Sequence, residues 1–184
     1  MTSRLPDPRR FDVAAAAAAA ATLEGCWPLA GFTRLTDGAP AGEARGGELH
    51  WSVRSQRRPV PGGEDQIWLH LEARARVWRE CQRCLLPVAL DLEVARALRF
   101  VATEEQAAAL DAESEDDVLA LGRRLDLHEL VEDELLLALP LVPMHTTCPQ
   151  APPMRFGDDV VAADAEPAPR PFAALARLKR ARGP

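Results

Sequence analysis

The clearest pattern in the chain is a period of two. Ile67, Leu69, Leu71, Ala73, Ala75 and Val77 alternate with His70, Glu72, Arg74 and Arg76, which separates an apolar face from a polar one. Side chains of a strand point alternately to its two sides, so this segment is predicted as a long half-buried strand. Upstream, Leu49, Trp51 and Val53 alternate in the same way, and Pro61-Gly62-Gly63 between the two runs reads as a hairpin turn. Beyond Pro87 the alternation resumes with Val88, Leu90, Leu92, Val94, Leu98 and Phe100, so Cys81-Gln82-Arg83-Cys84 falls at a β-turn.

Helical signals flank these strands. At the N-terminus Asp7 suits a cap, Pro8 a first turn, the alanines from Ala14 to Ala21 propagation and Gly25 a stop, which predicts one N-terminal helix. Cys26 to Gly47 is broken by prolines and glycines and reads as loop, with one short strand around Phe32 to Leu35. A short helix is expected at Glu104 to Leu110. Asp126-Leu127-His128-Glu129 has capping-box spacing ahead of Leu130, Val131, Leu135, Leu136 and Leu137, and Pro140 stops the pattern, which predicts a helix over 127–139. The implied fold class is α+β: an antiparallel sheet able to curl towards a barrel, an N-terminal helix and one core helix. This domain would span 1–148, and 149–184 would be a Pro/Ala-rich extended tail ending in a short basic helix.

Composition narrows the function classes. The 47% hydrophobic content of these 184 residues is enough for a core. No apolar run approaches the roughly 18 residues of a membrane span. Arg4, Arg9 and Arg10, followed by alanines and Cys26, mimic a lipoprotein export signal, but Asp7, Asp12 and Glu24 oppose that reading, so a cytoplasmic protein is expected. A net charge of −6 disfavours nucleic-acid binding by bulk charge. The charge is nevertheless polarised: twelve acids lie between Glu104 and Glu134, whereas Arg170 to Pro184 carries five cations and no acid. In that tail Phe172 and Leu175 share a helical stripe with Arg177, Lys179 and Arg180 alongside, a combination suited to contact with phosphates or with an acidic protein face.

Cys81 and Cys84 have the spacing with which two thiolates of one tight turn ligate a single zinc, and His145 and Cys148 form a second pair at equal spacing. A Cys3His site is one reading; packed thiols are the other, since the pairs are far apart in sequence. A redox role for the CxxC is weaker, because strands flank it where thiol oxidoreductases place a helix N-terminus; a depressed thiol pKa at Cys81 would favour that role. Cys26 stands alone and reads as a buried thiol. His50, His70 and His128 have no partner at ligand or triad spacing, no phosphate-binding glycine loop is present, and Glu129, Glu132, Asp133 and Glu134 read as a solvated helix face. Trp51, Trp68 and Trp78 are expected to pack on the sheet. Catalytic machinery is not visible.

Glu80 to Leu85 and Val131 to His145, in that order and separation, resemble the two signature blocks of the YceD family, with weaker matches at Leu5 to Arg9, Met154 to Gly157 and Pro171 to Lys179. The resemblance implies a part in the synthesis, processing or stability of large-subunit ribosomal RNA, and brings no catalytic residue with it. Cysteine content varies among family members, so the resemblance does not make a metal obligatory. The partner would be the large-subunit precursor, through its RNA or a ribosomal protein. Direct RNA binding by Arg83 and the tail cations is a first rival, and a thiol oxidoreductase using Cys81 and Cys84 a second. No small-molecule substrate and no membrane partner are implied.

Overall fold

The computed structural model describes residues 7–40, 46–114 and 116–150. The tail helix expected at Phe172 to Arg180, and with it Phe172, Leu175, Arg177, Lys179 and Arg180, lies outside them. Five strands form one sheet in the order of the chain: β1 (Thr22–Pro28), β2 (Glu48–Arg58), β3 (Gln66–Glu80), β4 (Pro87–Val101) and β5 (Asp117–Ala120). The first three pairings are antiparallel, with Val53 opposite Leu71 and Ala73 opposite Val94. β5 lies parallel to β4, so the sheet is mixed rather than wholly antiparallel, and it stays open. A parallel neighbour needs a crossover, which α3 (Glu104–Asp111) supplies.

The alternation seen in the sequence becomes the two faces of this sheet. Leu49, Val53, Leu69, Leu71 and Val77 are fully or almost fully buried on the inner side. Burying each such side chain stabilises the fold by about 1.5–3 kcal/mol relative to leaving it in water. Covering that face are Phe11, Leu29, Phe32, Leu35, α1 (Val13–Ala18) and α4 (Leu127–Leu137), whose Leu127, Val131 and Leu135 recur every fourth residue and are fully buried.

Four local readings need correction. The N-terminal helix is split: a 3-10 turn over Pro8–Arg10 is capped by Asp7, α1 is capped by Asp12, and Ala20 turns the chain in the left-handed region with φ 48°. Buried Phe11, bridged to Leu125, is the break between the two pieces. Gly25 is then no helix stop; it sits inside β1, where a Cβ would come within 3.2 Å of the Trp51 indole. The 26–47 segment holds the end of β1, a 3-10 turn (Leu29–Gly31) and α2 (Thr33–Thr36) in place of a strand at Phe32 to Leu35. Cys26 is exposed because its register partner is His50 on the outward face, so it is not a buried thiol.

Glu132 is the fourth. It is buried, and its carboxylate accepts from the backbone N–H groups of Arg34 at 2.9 Å and Leu35 at 3.0 Å, capping the first turn of α2. The Arg34 guanidinium donates to Glu132 and, at 2.6 Å, to Asp133. Arg96 reaches Glu134 from β4 at 2.9 Å. Most of this acidic face is therefore spent on holding α4 against α2 and the sheet.

Candidate metal centre

β3 and β4 are joined by a tight knuckle that begins at Cys81, whose N–H donates to the Leu86 carbonyl, while the Leu85 N–H donates to the Cys81 carbonyl. Leu85 takes φ 60° to let the chain re-enter β4, a left-handed conformation that costs a residue with a Cβ about 1 kcal/mol or more. After α4, Pro140 prevents a further helical turn, and the chain runs back over the knuckle. The Gln82 N–H donates to the Pro143 carbonyl at 2.9 Å, and the His145 N–H points at the Cys81 sulfur at 3.4 Å.

These two bonds bring the sequence-distant pairs together. Donor atoms of Cys81, Cys84, His145 and Cys148 all lie within 4.8 Å of one another, with Cys81 Sγ to Cys148 Sγ at 3.9 Å and Cys84 Sγ to His145 Nδ1 at 3.4 Å. Cys81 is fully buried and the other three are partly so. Such a Cys3His cluster can hold a metal ion. The His145 ring is oriented from behind: Nε2 lies 3.0 Å from the Pro87 carbonyl, to which only a protonated Nε2 can donate. That tautomer leaves the Nδ1 lone pair facing the thiols, the arrangement by which a backbone carbonyl steers a ligating imidazole.

Burial disfavours the charged form of Cys81, yet the N–H groups of His145, Arg83 and Cys84 converge on its sulfur and pull its pKa down to about 5. At Cys84 burial prevails and raises the pKa, with the Cys148 and Cys81 sulfurs adding to the rise. The centre thus offers one ready thiolate beside a thiol that a cation would ionise. Both metal ligation and disulfide exchange draw on a low thiol pKa; what separates them is the third sulfur and the imidazole on the same point. No helix begins at Cys81 or Cys84.

Arg83 also joins this centre. Its Nε lies 3.0 Å from Cys148 Sγ and its Nη2 donates to the His145 carbonyl at 2.7 Å, so its guanidinium is engaged with the second donor pair. Sequence reasoning overlooked this link and the Pro87 carbonyl, neither of which has a motif. It also overlooked a group of apolar residues in the same two segments that face solvent: Leu85 is 66% exposed, Leu141 101%, Val142 53% and Met144 49%.

His50 is exposed, whereas His128 is half-buried and stacks on Phe32 with ring centres 3.9 Å apart. Trp51 and Trp68 are buried and Trp78 is half-buried. No helix among the described residues is long and apolar enough to cross a membrane.

The family model for the large ribosomal RNA subunit accumulation protein YceD matches residues 69–179, from β3 through both donor pairs. A relative from Haemophilus influenzae, named large ribosomal RNA subunit accumulation protein YceD, is 38% identical over 135 residues, which is 72% of this chain and 72% of the relative. No solved structure gives a significant match. The knuckle, the helix that follows it in space and the returning His/Cys segment all fall within the matched span, and on this likeness the chain belongs to the YceD family.

Proposed function

We propose that this protein is a non-catalytic cytoplasmic factor that supports the synthesis, processing or stability of large-subunit ribosomal RNA, and that Cys81, Cys84, His145 and Cys148 together hold one structural zinc ion. The RNA role rests on the name of the relative and of the family model. The observation that carries the zinc is the spacing of the donors. Sulfurs bound tetrahedrally at about 2.3 Å stand roughly 3.8 Å apart, and Cys81 and Cys148 are separated by 3.9 Å. Four protein donors complete a tetrahedral shell and leave no open position for a substrate, which suits a structural ion over a catalytic one.

Bound there, zinc would tie the β3–β4 knuckle to the segment after α4. Leu85, Leu141, Val142 and Met144 would then form one fixed apolar surface, suited to a protein component of the large-subunit precursor. The thiol-oxidoreductase reading draws support from the low Cys81 pKa alone.

Purified full-length protein is expected to carry about one zinc per chain, and a chelator to lower its melting temperature. Absence of zinc together with indifference to chelator would overturn the metal; a Cys81–Cys84 disulfide that turns over a dithiol substrate would favour the redox reading. Cells lacking the gene are expected to accumulate less large-subunit RNA relative to small-subunit RNA. An unchanged ratio would overturn the RNA role.

A further inference from the structure

Most outward positions of β2, β3 and β4 are exposed or half-buried, with Trp68 the buried exception, and their charges are not mixed evenly. Towards the end of β4 that leads into α3, the outward positions are Arg54, Gln56 and Arg58 on β2, Trp68 and His70 on β3, and Arg99 on β4. The register sets Arg54 opposite His70, Gln56 opposite Trp68, and Trp68 opposite Arg99. Among the described residues none of Arg54, Arg58 and Arg99 forms an ion pair, in contrast to Arg76, which is paired with Asp91 further along the same face.

The patch is also organised. The Arg58 guanidinium lies over the Trp68 ring at 4.1 Å, and its Nη2 is 3.1 Å from His70 Nε2. Trp68 is in turn fixed by its indole N–H, which donates to the Gln66 side chain at 3.0 Å. A guanidinium stacked on an aromatic face gives up less side-chain freedom on meeting an anion than one free in solvent. His70 reports the local field: burial first, then the positive charges of Arg58 and Arg54, lower its pKa. Arg54 and Arg58, four residues apart on one strand, stand about 13 Å from each other, so they reach two different phosphates of one strand of nucleic acid. The chain as a whole is acidic, so any such contact has to be local, made by a patch where cations cluster.

We propose that the outward sheet face around Arg54, Arg58, His70 and Arg99 binds the sugar-phosphate backbone of single-stranded RNA, with Trp68 as the platform that presents Arg58. Guanidinium forks match phosphate oxygens, and an open antiparallel face offers them in a fixed row. The proposed site shares no residue with the cysteine centre or with the tail cations. It rests on the reading of the protein as a factor acting on large-subunit RNA, and gives that reading a direct contact.

The test is fluorescence anisotropy of full-length protein with a labelled twelve-nucleotide oligouridylate, over a series of salt concentrations. Wild-type affinity is expected to fall steeply with salt, and R54A/R58A to weaken binding about tenfold or more and flatten the log–log salt slope by roughly 1.4, two single-strand phosphates' worth. R54A alone, at an exposed position, keeps the test valid if Arg58→Ala disturbs Trp68; a matching melting temperature certifies the fold. R177A/K179A/R180A is the control. Loss of binding in that variant with none in R54A/R58A would overturn the patch in favour of the tail, and equal affinity in every variant, or no binding by the wild type, would also overturn it. A labelled acidic peptide that binds the wild type and not R54A/R58A, while the RNA binds neither, would assign the face to a protein instead. Failure of the patch leaves the RNA-accumulation phenotype untouched, and an absent phenotype leaves the anisotropy result standing, so the two readings fail separately.

Discussion

The long hairpins β2–β3–β4 and the cysteine knuckle are adjoining parts of one chain held by different means. In the hairpins most inward side chains are buried and every strand is paired across a long register, so apolar burial and backbone hydrogen bonds suffice. Residues 81–86 and 140–148 have no regular structure beyond turns, only Cys81 is buried among them, and a left-handed Leu85 adds strain. These two segments are held together by the Gln82–Pro143 and Arg83–His145 hydrogen bonds and meet at the donor cluster. The sheet's geometry follows from its pattern of buried side chains, whereas the knuckle's rests on a few long-range contacts that converge on the donor cluster.

The largest way to break that contrast is to attack what both regions share. Leu135 is fully buried on α4, in the core that the strands also line, and Leu135→Ala is expected to cost about 2–5 kcal/mol in urea unfolding. A cost under about 0.5 kcal/mol would mean that α4 is dispensable to the core. Cys148→Ser should sharpen the contrast. Amide exchange or proteolysis is expected to rise at 81–86 and 140–148, while far-ultraviolet dichroism of the sheet stays as it was; uniform loss of structure would show that the two regions fold as one. Asp126 accepts from the N–H groups of His128 and Glu129 at the start of α4, so Asp126→Ala is expected to cost about 0.5–2 kcal/mol.

The smallest effect concerns acidity. Burial, followed by the charge of Arg9, lowers the His128 pKa relative to its ordinary value near 6.5. The unfolded chain therefore takes up that proton more readily, and this contribution to stability is full above about pH 6.5 and declines as pH falls below it. Replacing His128 with Gln is expected to flatten unfolding midpoints measured between pH 7.5 and 5.5. An unchanged pH slope would remove His128 as the cause.

Much of this was legible in the sequence. The alternation in β3 and β4, the Pro61-Gly62-Gly63 turn, the position of CxxC between two strands and the capped helix at 127 each rest on local pattern, and each is found. β1 was hidden because Gly25 occupies an inward position where periodicity calls for an apolar side chain; the reason is the Trp51 ring across the strand pair. β5 pairs for only four residues, too few for a period to show. Glu132 looked like surface because an acid in an apolar helix is explained only by its distant partners, the amides of Arg34 and Leu35. The spacing of the two ligand pairs suggested one site, but the Pro87 carbonyl behind His145 belongs to tertiary structure alone.

The separation of the two donor pairs along the chain bears on the order of events in folding. Cys81 and Cys84 sit on a hairpin turn, the kind of unit that closes within about 1–10 μs. Their partners lie 61 and 67 residues away, beyond β5 and α4 in the chain. If zinc binds as proposed, an ion that arrives early would meet two donors and escape, and one that arrives late would meet four and stay. Firm retention of the ion would then mark a chain that has finished folding, and a partner that grips the closed knuckle would pass over unfinished copies.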